Sequence, residues 1–272
     1  MDETVVKMQQ EKVCKQAYFW LLSGADKNQR SQIADPPLVY YEFYDNRRHE
    51  NVRNILGENY QGNLHSDAYE AYENFAQKEG IMWQVCWAHA RRKFFECKEK
   101  SKLRTEIIEL MDKLFEAERE YWQLFKEEKD EVKLLQFRTK NCKPLTKKIF
   151  AKIEDFLTHG KYLKDSAILK ACNYIFYRKE SFCNFLNHTQ MRIDNNVSER
   201  KIRPLTIGRK NWLFVGNERG GKAAAVIYSL IQSSRNLKIE PQAYLEDVLS
   251  RVNNIEETEL PLLLPQNWQK QN

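Results

Sequence analysis

The sequence predicts an α/β protein whose strands are concentrated near its start and whose centre is an all-helical block. Three observations carry this expectation. Short β-branched or aromatic runs separated by polar breaks fill the first 43 residues, and strand-like and helix-like patterns then alternate to about residue 98. From about 103 to 185, apolar residues recur only at helical spacing.

Thr4 to Met8 and Cys14 to Leu22 flank the polar Gln9-Gln10-Glu11-Lys12, and Leu38 to Phe43 follows Pro36-Pro37. The three runs read as an antiparallel meander. Arg47 to Leu56 puts Val52, Ile55 and Leu56 on one side of a helix, with Gly57 at its stop. Gly62 to Asp67 is a brief strand ending in an acid. An aromatic helix from Ala68 to Lys78 ends at Gly80, Ile81 to Cys86 is a further strand, and Trp87 to Lys98 is a basic amphipathic helix. The central block shows Ile107, Leu110, Met111, Leu114 and Phe115, then Leu163, Ile168, Ala171, Tyr174 and Ile175, all at helical intervals. Ile193-Asp194-Asn195-Asn196 supplies cap residues for a helix from Val197 to Ile202, which Pro204 is expected to stop. Trp212 to Val215 reads as a short strand or hairpin, Gly220-Gly221 as a turn, Ala223 to Arg235 and Gln242 to Val252 as helices, and the tail beyond Asn253 as irregular.

A chain of 272 residues is long enough for one large core or a core with an inserted subdomain. Hydrophobic content of 42% and charged content of 30% suit a soluble globular protein, and no apolar run approaches the ~20 residues of a membrane span. The start has neither a basic leader nor an apolar segment, so the expected location is the cytoplasm, without a membrane partner. Six scattered cysteines read as reduced thiols. Net charge is only +6, but basic residues gather between Arg91 and Arg104 and between Arg200 and Lys222, which suggests contact with a polyanion. The first run, taken alone, reads equally as a solvated helix face.

The element order, a meander followed by crossover-linked strands that would pair in parallel, is compatible with a ribonuclease H-like mixed sheet flanked by helices. In that fold the opening of the first strand, the end of the fourth and the helix after the block converge, and these places hold Asp2, Asp67 and Glu199. Carboxylates gathered there repel one another unless cations lie among them. Two magnesium or manganese ions about 3.5 to 4 Å apart would activate a water or hydroxyl on one side of a phosphodiester and stabilise the leaving oxygen on the other. Asp67 would bridge both ions, with Asp2 and Glu199 completing one site each. Among 38 acids, spacing alone leaves this assignment open beside that of ordinary surface carboxylates.

The strings around these acids are more specific. Asp2-Glu3-Thr4, Leu64-His65-Ser66-Asp67-Ala68-Tyr69-Glu70-Ala71-Tyr72, Cys86-Trp87-Ala88-His89-Ala90-Arg91-Arg92-Lys93-Phe94 and Asp194-Asn195-Asn196-Val197-Ser198-Glu199-Arg200 closely resemble bacterial transposases of the insertion sequence 66 family. Arg203-Pro204, Gly208-Arg209-Lys210-Asn211-Trp212-Leu213-Phe214, Gly220-Gly221, Ala223-Ala224-Ala225, Tyr228-Ser229-Leu230-Ile231 and Pro241-Gln242-Ala243-Tyr244-Leu245 look like the carboxy-terminal half of that family, in order. The resemblance implies a DDE-type core with the acids Asp2, Asp67 and Glu199 and two Mg2+ or Mn2+ ions. It further implies phosphodiester cleavage and strand transfer on transposon-end and target DNA, by a homo-oligomer near the nucleoid that works with accessory proteins of the element. The domains implied are a first part of the core at 1–100, a helical insertion at 101–190, a second part at 191–252 and a tail at 253–272.

Arg91, Arg92, Lys93, Arg200, Arg203, Arg209 and Lys210 are the expected DNA contacts. Cys86 and His89 form a Cys-x-x-His pair with no matching second pair to complete a zinc site of four ligands, and the resemblance implies that the pair supports the active site. Trp212 is a supporting residue, and it and Phe214 suit either core packing or stacking on an unpaired base. Gly220-Gly221-Lys222 lacks the flanking residues of a P-loop. Members of the family carry amino-terminal segments that are absent here, so the chain is expected to be an amino-terminally truncated copy with Asp2 on a frayed strand end. The alternative to an active enzyme is a catalytically inactive remnant that only binds DNA or partner transposase subunits.

Overall fold

The computed structural model describes residues 1–10, 13–24, 38–78, 80–99 and 101–269; Glu11-Lys12, Pro36-Pro37, Lys100 of the first basic run and the last three residues lie outside them. In chain order the elements are β1 (Asp2–Gln9), β2 (Cys14–Gly24), β3 (Leu38–Tyr44), α1 (Glu50–Leu56), β4 (Gly62–Ser66), α2 (Glu70–Ala76), β5 (Ile81–Val85) and α3 (Trp87–Glu96). The helical block contains α4 (Lys102–Glu127), α5 (Glu131–Asn141), α6 (Lys143–His159), α7 (Ala167–Phe176), α8 (Lys179–Cys183) and a 3-10 turn at Asn184–Asn187. Then follow α9 (Asn196–Trp212), β6 (Phe214–Val215), α10 (Glu218–Asn236), α11 (Pro241–Arg251) and a 3-10 segment at Glu257–Leu263. The molecule is a mixed α/β protein divided into two units, Met1–Ile55 with Val197–Asn272, and Leu56–Asn196.

In the first unit β1, β2 and β3 form the expected antiparallel meander, and β6 pairs in parallel with the far end of β1, giving the order β3-β2-β1-β6. Alternation puts Val6, Met8, Ala17, Phe19, Leu21, Val39, Tyr41 and Phe43 on one face, where Ile202 and Leu205 of α9 and Ala225 of α10 complete the core. The expectation of a frayed first strand is corrected, because Asp2 is register-paired with Leu21 in a ladder that continues to Gln9.

Two helix boundaries also differ from expectation. Pro204 does not stop α9, which continues to Trp212. The proline lacks the N–H that would reach the Arg200 carbonyl, a loss of roughly 3 kcal/mol in an unsupported helix. Burial of Ile202 and Leu205 on either side of it holds the helix together, and the Tyr41 hydroxyl donates to the Lys201 carbonyl in the disturbed turn. Gly220-Gly221 is not a turn but the opening of α10. The Asn217 side chain accepts from the Gly220 N–H at 2.8 Å and caps that helix. Asn217→Ala is expected to lower stability by about 1 kcal/mol, read as a shift in the urea midpoint; an unchanged midpoint would make the cap dispensable.

Small residues explain how α10 lies against β3. Gly221, Ala225, Ser229 and Ser233 recur every four residues along one line of the helix. Ser233 Oγ accepts from the Val39 N–H at 3.1 Å, and Ser229 Oγ accepts from the Tyr41 N–H at 2.8 Å. The helix therefore satisfies the outward backbone groups of an edge strand. The tail is also more ordered than expected: the Tyr244 hydroxyl donates to the Leu263 carbonyl, and Trp268 Nε1 donates to Asp247 at 2.7 Å.

In the second unit β4 and β5 form a parallel pair, and Gly57 and Gly80, at φ +86° and +83°, supply the left-handed turns the sequence placed there. The Gln84 side-chain carbonyl accepts from the Phe185 N–H, and Trp87 Nε1 donates to the Phe182 carbonyl, so the end of the helical block is sewn to β5 and α3. All six cysteines are free thiols.

Candidate active site

The expected site residues are distributed over both units. Asp2 and Glu199 belong to the first, on β1 and in the first turn of α9; Asp67, Cys86 and His89 belong to the second. Asp2 Oδ1 accepts from the Glu3 N–H at 2.9 Å. The Glu3 carboxylate in turn accepts from Arg47, and Thr4 Oγ1 accepts from Arg209 Nη1 at 3.0 Å, with a second bond from that nitrogen to the Val5 carbonyl. The Asp2-Glu3-Thr4 string is therefore gripped by Arg47 and by α9. Arg209 spends donor capacity on β1, whereas Arg200, Arg203 and Lys210 are exposed.

Asp67 stands one residue beyond the carboxyl end of β4. Its Oδ1 accepts from the Tyr69 N–H at 3.0 Å, and Oδ2 takes no hydrogen bond among the described residues. The following N–H, on Ala68, donates to the Tyr174 hydroxyl of α7 at 3.1 Å. Burial pushes the Tyr174 phenol up, so it stays a hydroxyl at any working pH. Loss of hydration, with Arg192 and Arg138 nearby, lowers His65 to about 3, against a hydrogen bond to the Asp194 backbone. The imidazole beside Asp67 is consequently neutral at physiological pH.

Cys86 Sγ accepts from the Asn195 N–H at 3.2 Å, and the next N–H, on Trp87, donates to the Ile193 carbonyl at 2.9 Å. The cysteine thus holds the chain just before α9, a role that the spacing of Cys-x-x-His does not reveal. On α3, Arg91 pairs with Asp112 through two bonds of 2.6 and 3.2 Å, and this partner raises its pKa. Lys93 lies 4.6 Å over the Tyr174 ring, and Arg92 is exposed. Trp212 packs edge-on to Phe19 at 6.5 Å beside the core, whereas Phe214 is 44% exposed.

No described helix is long and apolar enough to cross a membrane. No solved structure matches the chain. It is 32% identical over 289 residues to the uncharacterized protein y4hP of Sinorhizobium fredii, an alignment covering 99% of this chain and 50% of that one. To the uncharacterized protein y4qI of the same organism it is 31% identical over 278 residues, covering 98% and 50%. The chain spans about half the length of these curated relatives. A profile described as the transposase IS66 family matches residues 1–223, and the chain accordingly belongs to the IS66 transposase family.

Proposed function

We propose that this chain is the catalytic region of a DNA transposase, a ribonuclease H-like core with a helical insertion at about 101–190, which cuts phosphodiester bonds at element ends and joins them to target DNA. The observation that carries the reading is that a chain of this family places Asp67 directly beyond β4, with one carboxylate oxygen fixed and the other open to a ligand. Asp2 and Glu199 would complete the set. Three carboxylates are hard oxygen donors, a set that fits Mg2+ or Mn2+. Two such ions would supply an activated water or 3′ hydroxyl and charge stabilisation at the leaving oxygen.

The chain's own groups position and bind. The Tyr69 N–H orients the Asp67 carboxylate, and Tyr174 steadies the turn that carries it. Arg200, Arg203 and Lys210 offer exposed cations to phosphates, and Phe214 offers an exposed ring to an unpaired base. The test is magnesium- or manganese-dependent nicking and joining of labelled DNA carrying the element's ends. Asp67→Asn is expected to lower the rate at least about 100-fold, more than the loss of a residue that merely supports a metal ligand. Equal rates for parent and variant, or activity indifferent to metal, would remove Asp67 from the reaction.

A further inference from the structure

Between Glu131 and Glu154 the sequence holds seven basic residues and no acid. Three of them are accounted for: Arg138 is buried against Glu118, Lys133 pairs with Glu128, and Lys152 pairs with Glu106. The other four, Lys140, Lys143, Lys147 and Lys148, are all exposed and enter no ion pair among the described residues. On α6 the buried Thr146, Ile149, Phe150 and Ile153 occupy one arc; Lys143 and Lys147 flank it on the Phe150 side within the first two turns, and Lys148 stands opposite. Lys179 of α8 joins them, with Nζ 5.2 Å from the Phe150 ring. Burial pushes the Cys183 thiol up to about 11, and the charges of Lys179 and Lys143 both draw it back.

This placement works against the helix itself. Lys143 in the first turn opposes the helix dipole, and no acid stands in that turn to offset it. A fold that keeps such a charge array carries a local conflict of the kind expected where a binding partner supplies the compensation. The complement is a polyanion. Lys143 and Lys147 are about 6 Å apart along the helix axis, while one strand of B-DNA advances about 3.4 Å per phosphate, so the two can reach phosphates of a single strand. The face contains lysines alone, without the Arg, Asn or Gln forks that read base edges.

We propose that this face of the helical block binds the phosphate backbone of duplex DNA irrespective of sequence, as a surface separate from the basic residues of α3. It rests on the transposase reading. The experiment measures binding of the full chain to an element-end duplex and to a random duplex across a salt series, with Lys140, Lys143, Lys147 and Lys148 all changed to Gln. The magnitude of the slope of log affinity against log salt is expected to fall by about 3 to 4 on both duplexes. Affinity near 0.1 M salt should fall at least about tenfold.

An unchanged slope overturns this inference and leaves the transposase reading standing wherever the parent chain still nicks DNA in an Asp67-dependent way. A parent chain that binds no DNA overturns both. A loss confined to end sequences, a larger loss on duplex RNA than on DNA, or an equal loss on removing Lys113, Lys126, Lys129 and Lys133 also overturns it. On the unaltered protein, bound DNA should shield the same four lysines from an amine-modifying reagent; equal modification with and without DNA counts against it.

Discussion

Arg138→Met is expected to destabilise the protein by about 3–5 kcal/mol, the range for removing one partner of a buried ion pair. Arg138 is fully buried, and its guanidinium makes five hydrogen bonds: to Glu118 at 2.9 and 2.8 Å, to the Phe185 and His188 carbonyls at 2.6 Å each, and to the Met191 carbonyl at 2.8 Å. Its Cζ lies 3.7 Å from the Tyr121 ring centroid, and the Tyr121 hydroxyl donates to the Thr189 carbonyl at 2.6 Å. One side chain therefore joins α4 and α5 to the segment that leads into α9. Methionine keeps much of the volume but removes the guanidinium charge and its five hydrogen bonds, leaving the buried Glu118 carboxylate only the weaker contact with the Cys142 thiol at 3.5 Å and that with Trp122.

The loss should depend on pH. Burial pushes the Glu118 carboxyl up, and Arg138 opposes it. Without Arg138 the folded-state pKa rises further above the unfolded value, so the Glu118 contribution is fully present below the unfolded pKa and is lost as pH rises through the folded one. The gap between variant and parent should accordingly be smaller at pH 4.5 than at pH 8, in urea unfolding followed by the helical circular dichroism signal. Adding Glu118→Leu should recover part of the loss at pH 8, because a well-packed apolar pair can replace a buried ion pair. A parent-like midpoint for Arg138→Met would show that the segment holds its place by other contacts.

Gly221→Val is expected to cost about 1–3 kcal/mol through overpacking between α10 and β3. A Cβ at Gly221 would lie 2.6 Å from three atoms of the Phe43 ring. That ring is fully buried and stands edge-on to Phe19 at 5.0 Å, so it cannot turn aside. To relieve the clash α10 would have to move away from β3, stretching the bonds that Ser229 and Ser233 make with the strand backbone. The measurement is the unfolding midpoint of Gly221→Val alone and with Phe43→Leu. Recovery in the double variant would locate the clash, and no loss in the single variant would show that the helix can shift at little cost.

Much of the fold was legible because the signals were local. Alternation in Cys14 to Leu22 and Leu38 to Phe43, and the helical spacing of Ile107, Met111 and Leu114, depend only on which neighbours share a face. Both Gly57 and Gly80 were readable as helix stops, and Asp67 as an acid at a strand end. The structure had to reveal, within each unit, the contacts of the candidate residues and their neighbours: the thiol of Cys86 holding Asn195, Tyr174 reaching Ala68, and Arg209 bonded to Thr4. These partners are far apart in sequence, and nothing in their spacing ties them together. Lys140, Lys143, Lys147 and Lys148 were not legible as a group, because they are spread over two helices within a run that also includes three paired cations.

The sequence by itself determined the meander, the helical block, the order of the three acids and the strings that place the chain in its family, since periodicity and motif are properties of neighbouring residues. Only the tertiary structure decided that α9 continues through Pro204, that Gly220-Gly221 opens a helix, that the tail docks through Trp268 and that Arg138 is an anchor. In each case a non-local contact outweighs a local preference. Burial of Ile202 and Leu205 offsets a missing helical bond, and the approach of Phe43 makes a glycine within a helix the residue that fits.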